Sequence, residues 1–321
     1  MKHARRLVAG TLAAGALALS LTGCGDSVDP IERLGRKTTQ DPQGAEGAEG
    51  AQGSDASKGP KSPKSPKDSK DPKGTGPASP AGTASPPGSP SDEAYKKWGL
   101  TAPVAYAPKP AQKPQIPKAG PGKVPVIDRI PVPAGEKVVF LTFDDGAEKD
   151  PEFLKMAADL KLPISMFLTD NVASSDYGHF EKLRDNGSAS TINNHTLTHP
   201  NLRTLSFEGQ KKEICGQQDR LEQRFGQRPP LFRPPFGNYN DDTLRAASEC
   251  GVSSLLLWRV SMQINNFQYA EGSALRPGDI ILAHFRGPGE LKGATETQMT
   301  TRMLQRIHEQ GYSIGRLEDY L

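Results

Sequence analysis

The chain has 321 residues, and its 40 Lys and Arg against 37 Asp and Glu give a formal net charge of +3 at pH 7. A charge this small argues against nucleic acid as the main partner, because nucleic-acid-binding domains are usually strongly basic. The 33 Gly and 29 Pro are high counts for a globular protein and concentrate in the first part of the chain, so we expect one folded domain at 124–321 rather than two domains.

Residues 1–23 have the pattern of an export signal. A positively charged start precedes an apolar run from Leu7 to Leu21, which is too short for a comfortable membrane span. The run ends in Leu21-Thr22-Gly23-Cys24, which resembles a bacterial lipobox. This predicts a lipoprotein signal peptide and a lipid anchor on Cys24, outside the cytoplasm and facing the cell wall. The alternative is a plain signal peptide with an incidental Cys.

Residues 24–123 are predicted to form a disordered tether. No Val, Ile, Leu, Met, Phe, Tyr or Trp occurs from Gly35 to Ala94, so this stretch cannot bury enough apolar surface to offset its ordering entropy. Lys recurs at every third position in 58–73, which would line one face of a polyproline II helix. That stripe either contacts anionic wall polymers or lipid head groups, or belongs to a soluble spacer. A few apolar residues between 101 and 135 are expected to pack against the domain.

Strands and helices alternate along residues 124–321, which predicts an α/β fold with a parallel sheet in a barrel or partial barrel. The predicted helices, bounded mostly by N-cap residues or a terminal Gly, are 151–160, 177–186, 206–225, 241–250 and 296–310. The predicted strands are 138–143, 164–168, one starting at 231, 252–259, 280–285 and 312–316.

The first of these strands ends in two adjacent carboxylates, Asp144 and Asp145, followed by Gly146. The strand reads as buried on both faces, and in α/β folds the carboxyl ends of strands face the ligand site. Two carboxylates held together there are costly unless a cation or a shared proton offsets their repulsion. The alternative is a solvated Asp-Asp-Gly turn.

A second motif, His195-Thr196-Leu197-Thr198-His199, places two imidazoles at i and i+4. In a helical turn they would share one face, a common way to hold Zn²⁺, and Asp145 would supply a third ligand. A surface coincidence of two His is the alternative. His179 and His308 lie in polar helical segments, and we expect both at the surface.

Two further segments carry candidate groups. In Arg233-Pro234-Pro235-Phe236-Gly237 the prolines stiffen the backbone, and a rigid guanidinium suits the orientation of a carboxylate. His284 lies near the end of a strand that reads as buried. It is interpreted as an acid, with a satisfied core histidine as the alternative.

Together these motifs resemble those of the NodB-like polysaccharide deacetylases, carbohydrate esterase family 4, over roughly residues 136–320. The resemblance implies a deformed (β/α) barrel that removes acetyl groups with a divalent metal, most often zinc. The roles that it implies are general base for Asp144, metal ligands for Asp145, His195 and His199, orientation of Asp144 for Arg233, an oxyanion-binding backbone N–H for Phe236 and general acid for His284.

The remaining family motif is altered. Ser261 and Ile264 stand where the family has two carboxylates, and Asn265 stands in place of its Trp. Without the carboxylate that supports the acid, the pKa of His284 should be lower than in relatives. Ser190 and Asn193 also replace residues that are usually His and Gly, which predicts an unusual groove wall.

Cys215 and Cys250 lie on two predicted helices that flank the strand at 231. An exported protein meets an oxidising environment, so a disulfide between them is predicted. The first interpretation of function is a membrane-tethered enzyme that removes N-acetyl groups from peptidoglycan or another N-acetylglucosamine polymer. The alternatives are O-deacetylation of a polymer such as xylan, and a glycan-binding protein that has lost turnover.

Overall fold

The structure, a computed structural model, describes residues 93–321. The predicted signal peptide, Cys24 and the predicted tether up to residue 92 lie outside the described residues. Within 93–321, no helix is both long and apolar enough to cross a lipid bilayer. The strands of this part are β1 (Val126–Ile127), β2 (Val138–Asp145), β3 (Ile164–Leu168), β4 (Thr191–Asn194), β5 (Leu231–Phe232), β6 (Ser254–Leu256), β7 (Val260–Met262), β8 (Phe267–Tyr269), β9 (Ile280–His284) and β10 (Ser313–Gly315). Its α-helices are α1 (Ala94–Lys97), α2 (Pro151–Leu160), α3 (Asp170–Ala173), α4 (Tyr177–Asp185), α5 (Phe207–Phe225), α6 (Asp241–Glu249) and α7 (Glu296–Glu309).

The strands form one curled sheet in the order β1-β6-β5-β4-β3-β2-β9-β7-β8, with β10 paired to β2. The pairings are parallel except for that of β7 with β8, which is antiparallel. Helices connect the parallel strands and cover the sheet, so the fold is a deformed (β/α) half-barrel. The predicted fold class is confirmed.

Local signals fixed most element boundaries correctly. Asp150 caps α2 by accepting a hydrogen bond from Glu152 N, with Pro151 at the first helical position, as predicted. Ser206 caps α5 by accepting from Gly209 N. The central strand β2 is buried because its side chains alternate between two apolar clusters, with Val139, Leu141 and Phe143 in one and Val138 and Phe140 in the other.

The predicted single strand 252–259 is wrong. The chain forms two separate strands here. Strand β6 lies between β1 and β5 near one edge of the sheet, and β7 lies beside β9 near the opposite edge. Between them, Leu257 N donates to Ile127 O at 2.8 Å and Arg259 N donates to Ile280 O at 3.2 Å. This segment therefore bridges the two margins of the curled sheet, which no local pattern in the sequence encodes.

The packed part of the chain begins well before residue 124, the predicted domain boundary. Leu100 is only 7% exposed and belongs to one of the two apolar clusters, which Val104 and Tyr106 also contact. Tyr106 forms a parallel bridge to Ile314, and Thr301 Oγ1 donates to Trp98 O at 3.0 Å. The predicted packing of apolar residues from 101–135 is confirmed, but the predicted tether extends too far toward the domain.

His179 is not at the surface, contrary to the expectation from its polar helix. Its side chain is buried, its ring packs edge-on against Phe180 at 5.2 Å, and its Nε2 has no hydrogen-bond partner among the described residues. Burial lowers the pKa of His179 to about 4. His308, by contrast, is exposed as expected.

This burial predicts a pH-dependent stability. The folded-state pKa of His179 lies below its ordinary 6.5, so the unfolded chain binds the proton more tightly. The stability that comes from keeping His179 neutral in the folded state is fully present above pH 6.5. About 3 kcal/mol of unfolding free energy is lost as the pH falls to about 4. Urea unfolding across this pH range should show a shallower pH slope for His179→Gln. His308→Gln is the matched control and should keep the wild-type slope; equal slopes for wild type and His179→Gln would contradict the assignment.

Candidate active site

The residues singled out in the sequence converge at the carboxyl ends of neighbouring strands. β2 ends at Asp144 and Asp145, and the register pairs Asp144 with His284, the last residue of β9. His195 directly follows β4, and Arg233 directly follows β5. Because β9, β2, β3, β4 and β5 are consecutive in the sheet, these side chains meet at one edge.

A cavity of about 170 Å³ opens at this edge. It brings together both carboxylates of the first motif and three histidines from two other segments. Its lining residues are Asp144, Asp145, His195, His199, Phe236, Trp258, Ser261, Gln263, Leu282, His284 and Arg286.

Asp145, His195 and His199 have the arrangement of a metal site. One ligand atom from each lies within 4.8 Å of the others. Asp145 Oδ1 is 3.4 Å from His195 Nε2 and 3.3 Å from His199 Nε2. This oxygen is buried and has no hydrogen-bond partner among the described residues. An orphaned carboxylate oxygen between two imidazole nitrogens suits a divalent cation, so the three residues fit the predicted metal.

The tautomer of His195 and the low pKa of His199 suit metal binding. His195 Nδ1 lies 2.7 Å from the backbone oxygen of Arg233, which can only accept, so Nδ1 carries a proton and Nε2 is the nitrogen that would bind a cation. Burial opposes protonation of His195, but the Asp144 and Asp145 carboxylates outweigh it and raise the pKa of this ring. Burial lowers the pKa of His199 to about 4, so that ring is neutral at pH 7. Burial opposes ionisation of Asp145, but the neighbouring imidazoles of His195, His284 and His199 hold its pKa below the ordinary value.

Backbone strain is concentrated around this cavity. Seven described residues other than Gly have positive φ, and four of them belong to the site: Asp145 at 69°, Thr196 at 74°, His199 at 60° and Phe236 at 60°. Such a conformation costs about 1–3 kcal/mol for a residue with a side chain, and it is typically retained where function requires it. The clustering supports the assignment of the site independently of the side-chain chemistry.

The segment from His195 to His199 is a loop, and the helical turn suggested by the i, i+4 spacing is wrong. Thr196 N donates to Asn194 Oδ1 at 2.8 Å, and His199 N donates to Thr196 Oγ1 at 3.1 Å. These side-chain-to-backbone bonds replace the helical pattern and still bring the two imidazole centroids within 4.9 Å. The i, i+4 spacing therefore identified the right pair of histidines, although they meet across a loop and not on one face of a helical turn.

Helix α5 supports this loop through two residues that the sequence analysis missed. Glu213 accepts hydrogen bonds from Thr198 N and Thr198 Oγ1, both at 2.9 Å. Leu197 packs directly on Gly216, where a Cβ would lie 2.5 Å from Leu197 Cδ1. The available signal was a Gly in the middle of a long helix, where Gly is ordinarily unfavourable and so indicates a packing requirement.

Cys215 and Cys250 form a disulfide in the structure, and their Cα atoms are 4.9 Å apart. The crosslink joins α5 to the end of α6 and closes a separation of 35 residues, which by the chain-entropy argument is worth about 3–4 kcal/mol. Because Cys215 adjoins Gly216, the disulfide also fixes the part of α5 that supports the histidine loop.

Gly216→Ala is expected to weaken metal binding by roughly 10- to 100-fold, the range typical for residues that orient metal ligands. Ala would ordinarily favour a helix over Gly by about 1 kcal/mol, so the predicted loss arises from the clash with Leu197. Titration of the purified protein with Co²⁺, followed by visible absorption, measures the affinity without turnover. Adding Leu197→Ala removes the clash and should recover most of the affinity; a double variant as weak as the single one would contradict the argument.

Asp144 is held by a buried ion pair. Arg233 Nη1 donates to Asp144 Oδ1 at 2.5 Å and to Thr142 Oγ1 at 2.9 Å, and Arg233 is fully buried. Its guanidinium also lies 4.2 Å from the centroid of the Phe167 ring. Burial raises the pKa of Asp144, and the guanidinium acts against that shift. The arrangement leaves the other carboxylate oxygen, Oδ2, facing His195 Nε2 at 3.7 Å.

Phe236 lies at the rim of the cavity. It occupies the turn Pro235–Gly237, its side chain is 38% exposed, and its ring centroid is 4.7 Å from that of His199. Its backbone has a positive φ of 60°. Its role in binding an oxyanion stays a prediction.

Of the altered motif, only Ser261 lines the cavity with His284, whereas Ile264 and Asn265 line a separate cavity. Ser261 is buried in β7, lines the cavity and accepts a hydrogen bond from Gln263 Nε2 at 3.0 Å. Burial lowers the pKa of His284 to about 3, with Arg286 lowering it further and Asp145 acting against that fall. That this pKa is lower than in relatives, because the supporting carboxylates are missing, stays a prediction.

Ser190 and Asn193, which stand where the family usually has His and Gly, do not form the unusual groove wall that was predicted from them. Ser190 is buried, donates to Leu162 O at 3.0 Å and accepts from Ile164 N at 3.1 Å. Asn193 is also buried and donates to Thr191 Oγ1 at 3.2 Å. Neither lines the cavity, because both pack within the sheet and its connections.

The fold and the side chains gathered at this edge are those expected from the sequence resemblance, and comparison with known proteins identifies the family. Residues 132–255 match the family Polysaccharide deacetylase. An uncharacterized protein of Streptomyces coelicolor is 45% identical over 199 residues, which cover 61% of this chain and 77% of that protein. The chain belongs to the polysaccharide deacetylase family, carbohydrate esterase family 4.

More distant relatives have named activities. A peptidoglycan-N-acetylglucosamine deacetylase of Bacillus cereus is 24% identical over 174 residues, covering 51% of this chain and 62% of its own length. The peptidoglycan-N-acetylmuramic acid deacetylase PdaC of Bacillus subtilis is 33% identical over 131 residues, which cover 40% of this chain and 27% of PdaC. Among solved structures, a mutant of a Bacillus anthracis pseudoenzyme of this family has a TM-score of 0.50 at 21% identity, covering 61% of this chain and 70% of that chain. This last likeness shows the fold.

Proposed function

We propose that this protein is a metal-dependent hydrolase that removes N-acetyl groups from a polysaccharide, with peptidoglycan or another N-acetylglucosamine polymer as its substrate. One observation carries the proposal: a single cavity holds the Asp144 carboxylate, paired with Arg233, beside the Asp145, His195 and His199 ligand set. The peptidoglycan deacetylases among its relatives support the choice of polymer.

The chain's own groups divide the work of amide hydrolysis. A divalent cation held by Asp145, His195 and His199 would polarise the acetyl carbonyl and acidify a water molecule. Asp144 takes the proton of the attacking water, and Arg233 holds that carboxylate in place. The Phe236 N–H donates to the oxygen that gains negative charge. His284 protonates the sugar nitrogen as the carbon–nitrogen bond breaks.

Acetate release tests this proposal. The substrates are N-acetylglucosamine oligomers, peptidoglycan and acetyl-xylan, each with and without a chelator. We expect acetate from the first two, loss of activity with the chelator and recovery on addition of Zn²⁺. Acetate from acetyl-xylan alone would favour O-deacetylation instead, and activity that survives metal removal would contradict metal dependence.

A second candidate is a glycan-binding protein without turnover. Ser261 and Gln263 on the wall beside His284 favour it, because they leave the predicted acid without the family's supporting carboxylate. Retention on glycan columns with no acetate release from any substrate would establish this alternative. Acetate release that depends on Asp144 would exclude it.

We further propose that the protein is a lipoprotein outside the cytoplasm, with its domain facing the cell wall. The positively charged start, the apolar run and the Leu21-Thr22-Gly23-Cys24 motif support this location. Cys24→Ser should remove the anchor and move most of the protein from the membrane fraction to the soluble or secreted fraction. Cys215→Ser is the control because it leaves the motif intact; equal membrane retention of wild type and Cys24→Ser would contradict the anchor.

A further inference from the structure

Helix α7 borders an elongated groove outside the catalytic cavity. Two cavities of about 400 and 410 Å³ adjoin at Gln298 and Arg302, which line both, and together they are here called the α7 groove. One end is lined by Asn265, which comes two residues after Gln263 of the catalytic cavity. The other end is lined by Trp98, near the start of the described chain. The groove therefore runs from beside the catalytic cavity to the part of the domain that follows the predicted tether.

The charged side chains of the α7 groove are all cations. They are Lys97, Lys292 and Arg302, and no Asp or Glu of the described chain lines the groove. Lys97 pairs with Asp159 at 2.6 Å, but Lys292 and Arg302 have no ion pair within residues 93–321. Arg302 instead donates from Nη1 to the backbone oxygen of Ile264 at 3.3 Å. Two cations without counter-ions in one groove favour a ligand that carries negative charge.

The backbone holds Lys292 in an unfavourable conformation. Its φ is 51°, in the left-handed region that a residue with a side chain rarely adopts, and Gly293 follows with φ 90°. Such strain is typically retained where function requires it. Lys292 lies in the connection between β9 and α7 and lines the groove, so its conformation supports a role for this surface beyond packing.

The other polar groups of the α7 groove suit a phosphodiester better than a carboxylate. The side chains of Asn265 and Gln298 are exposed, and their amides can donate hydrogen bonds beside the two cations that lack a counter-ion. A phosphodiester has tetrahedrally arranged oxygens that accept from a guanidinium, an ammonium and amides together, whereas a planar carboxylate is matched by one guanidinium. An elongated groove with cations along its length fits a polymer with a phosphate in each repeat.

The Lys repeat at 58–73 gives this polymer a second point of attachment. It carries six Lys at every third position and ends 20 residues before residue 93. A chain of this length that is disordered, as its composition predicts, spans roughly 25 Å, so one polymer molecule can contact both the repeat and the Lys97 end of the groove. Two linked contacts strengthen binding well beyond either one alone.

We propose that the α7 groove binds an anionic polymer whose charge is carried by phosphodiester groups. The groove and the Lys repeat together hold the domain along such a polymer, next to the glycan at the catalytic cavity. This binding goes beyond the proposed deacetylase function and does not require hydrolysis. A measurement of binding alone therefore tests it, and its failure leaves the proposed function untouched.

The test measures binding of the full chain, in mild detergent, to fluorescently labelled poly(glycerol phosphate) by anisotropy. Unlabelled poly(glycerol phosphate), poly-glutamate of matched charge and neutral dextran serve as competitors. We expect the phosphate polymer to compete best, poly-glutamate less well and dextran not at all, and we expect binding to weaken as salt is added. The same series is run on a chain whose six repeat Lys are replaced by Gln. This chain should bind more weakly but keep the preference for phosphate.

The double variant Lys292→Gln/Arg302→Gln should weaken binding roughly 10- to 100-fold in both backgrounds, because it removes the charge-assisted hydrogen bonds of the groove. Arg276→Gln/Lys155→Gln is the matched control. It lowers the net charge equally, and both of its residues are exposed and line neither cavity of the groove. A loss confined to the first variant shows that the position of the cations matters, and not only the net charge.

A steric variant tests the groove without changing its charge. Asn265→Trp places a large ring at one end and should weaken binding of the polymer, whereas Asn266→Trp, at the next residue, should not, because Asn266 is also exposed but lines neither cavity. Circular dichroism of each variant confirms that it is folded.

Four results would overturn the inference. They are equal competition by poly-glutamate and poly(glycerol phosphate), a loss in the control as large as in Lys292→Gln/Arg302→Gln, equal binding by Asn265→Trp and Asn266→Trp, and no remaining binding once the repeat is neutralised. The last result would assign the polymer to the tether alone.

Discussion

Asp144→Asn is expected to lower kcat by about 10²- to 10⁴-fold, the usual contribution of a general base, with little change in KM. The substitution keeps the size of the side chain and an oxygen that can accept from Arg233, which lies 2.5 Å from the present carboxylate. It removes the negative charge that takes the proton from water. Single-turnover acetate release by the folded protein measures the effect.

This substitution also leaves the Arg233 guanidinium buried without a counter-ion. Breaking a buried pair typically costs about 3–5 kcal/mol, so some loss of stability is expected as well. Asp279→Asn is the matched control, because Asp279 is equally buried and pairs with Arg129 at 2.8 Å outside the cavity. The control should lose stability but keep kcat. If Asp144→Asn retained wild-type kcat, Asp144 would not be the base.

Ser261→Asp is expected to increase turnover at neutral pH by about 10-fold or more. The register pairs Ser261 with Leu282, and His284 lies two residues further along the same strand, so the three side chains share one face of the sheet. A carboxylate within about 4–6 Å of an imidazole raises the imidazole pKa by about 1–3 units. Since burial holds the pKa of His284 at about 3, such a rise multiplies its protonated fraction at pH 7.

The pH–rate profile distinguishes this effect from a change in packing. The limb that reports the proton donor should move to higher pH in Ser261→Asp, and Ser261→Asn, of nearly the same size but uncharged, should leave that limb in place. The buried carboxylate should also lower thermal stability, because its desolvation is only partly offset by His284 and Gln263. Equal gains in the Asp and Asn variants would show that the missing charge is not what limits His284.

Much of the fold followed from local rules. The boundaries of α2 and α5 were predictable because Asp150, Pro151 and Ser206 satisfy the free N–H groups at helix starts by short-range contacts. The chain segment 252–259 was mispredicted because β6 and β7 pair with strands that are distant in the sequence. Register and edge closure depend on partners that a window of neighbouring residues does not contain.

For the candidate site, too, some features follow from local sequence and others only from tertiary packing. The sequence by itself determined which groups come to the edge of the sheet, since Asp144, Asp145, His195, Arg233 and His284 all end or follow strands that run in parallel. The tertiary structure decided how they are held. The histidine loop takes its shape from α5 and from side-chain hydrogen bonds, and a buried polar group such as His179 is set by packing from remote segments. The physical reason is that strand direction is encoded locally, whereas burial and loop support arise only when distant parts of the chain meet.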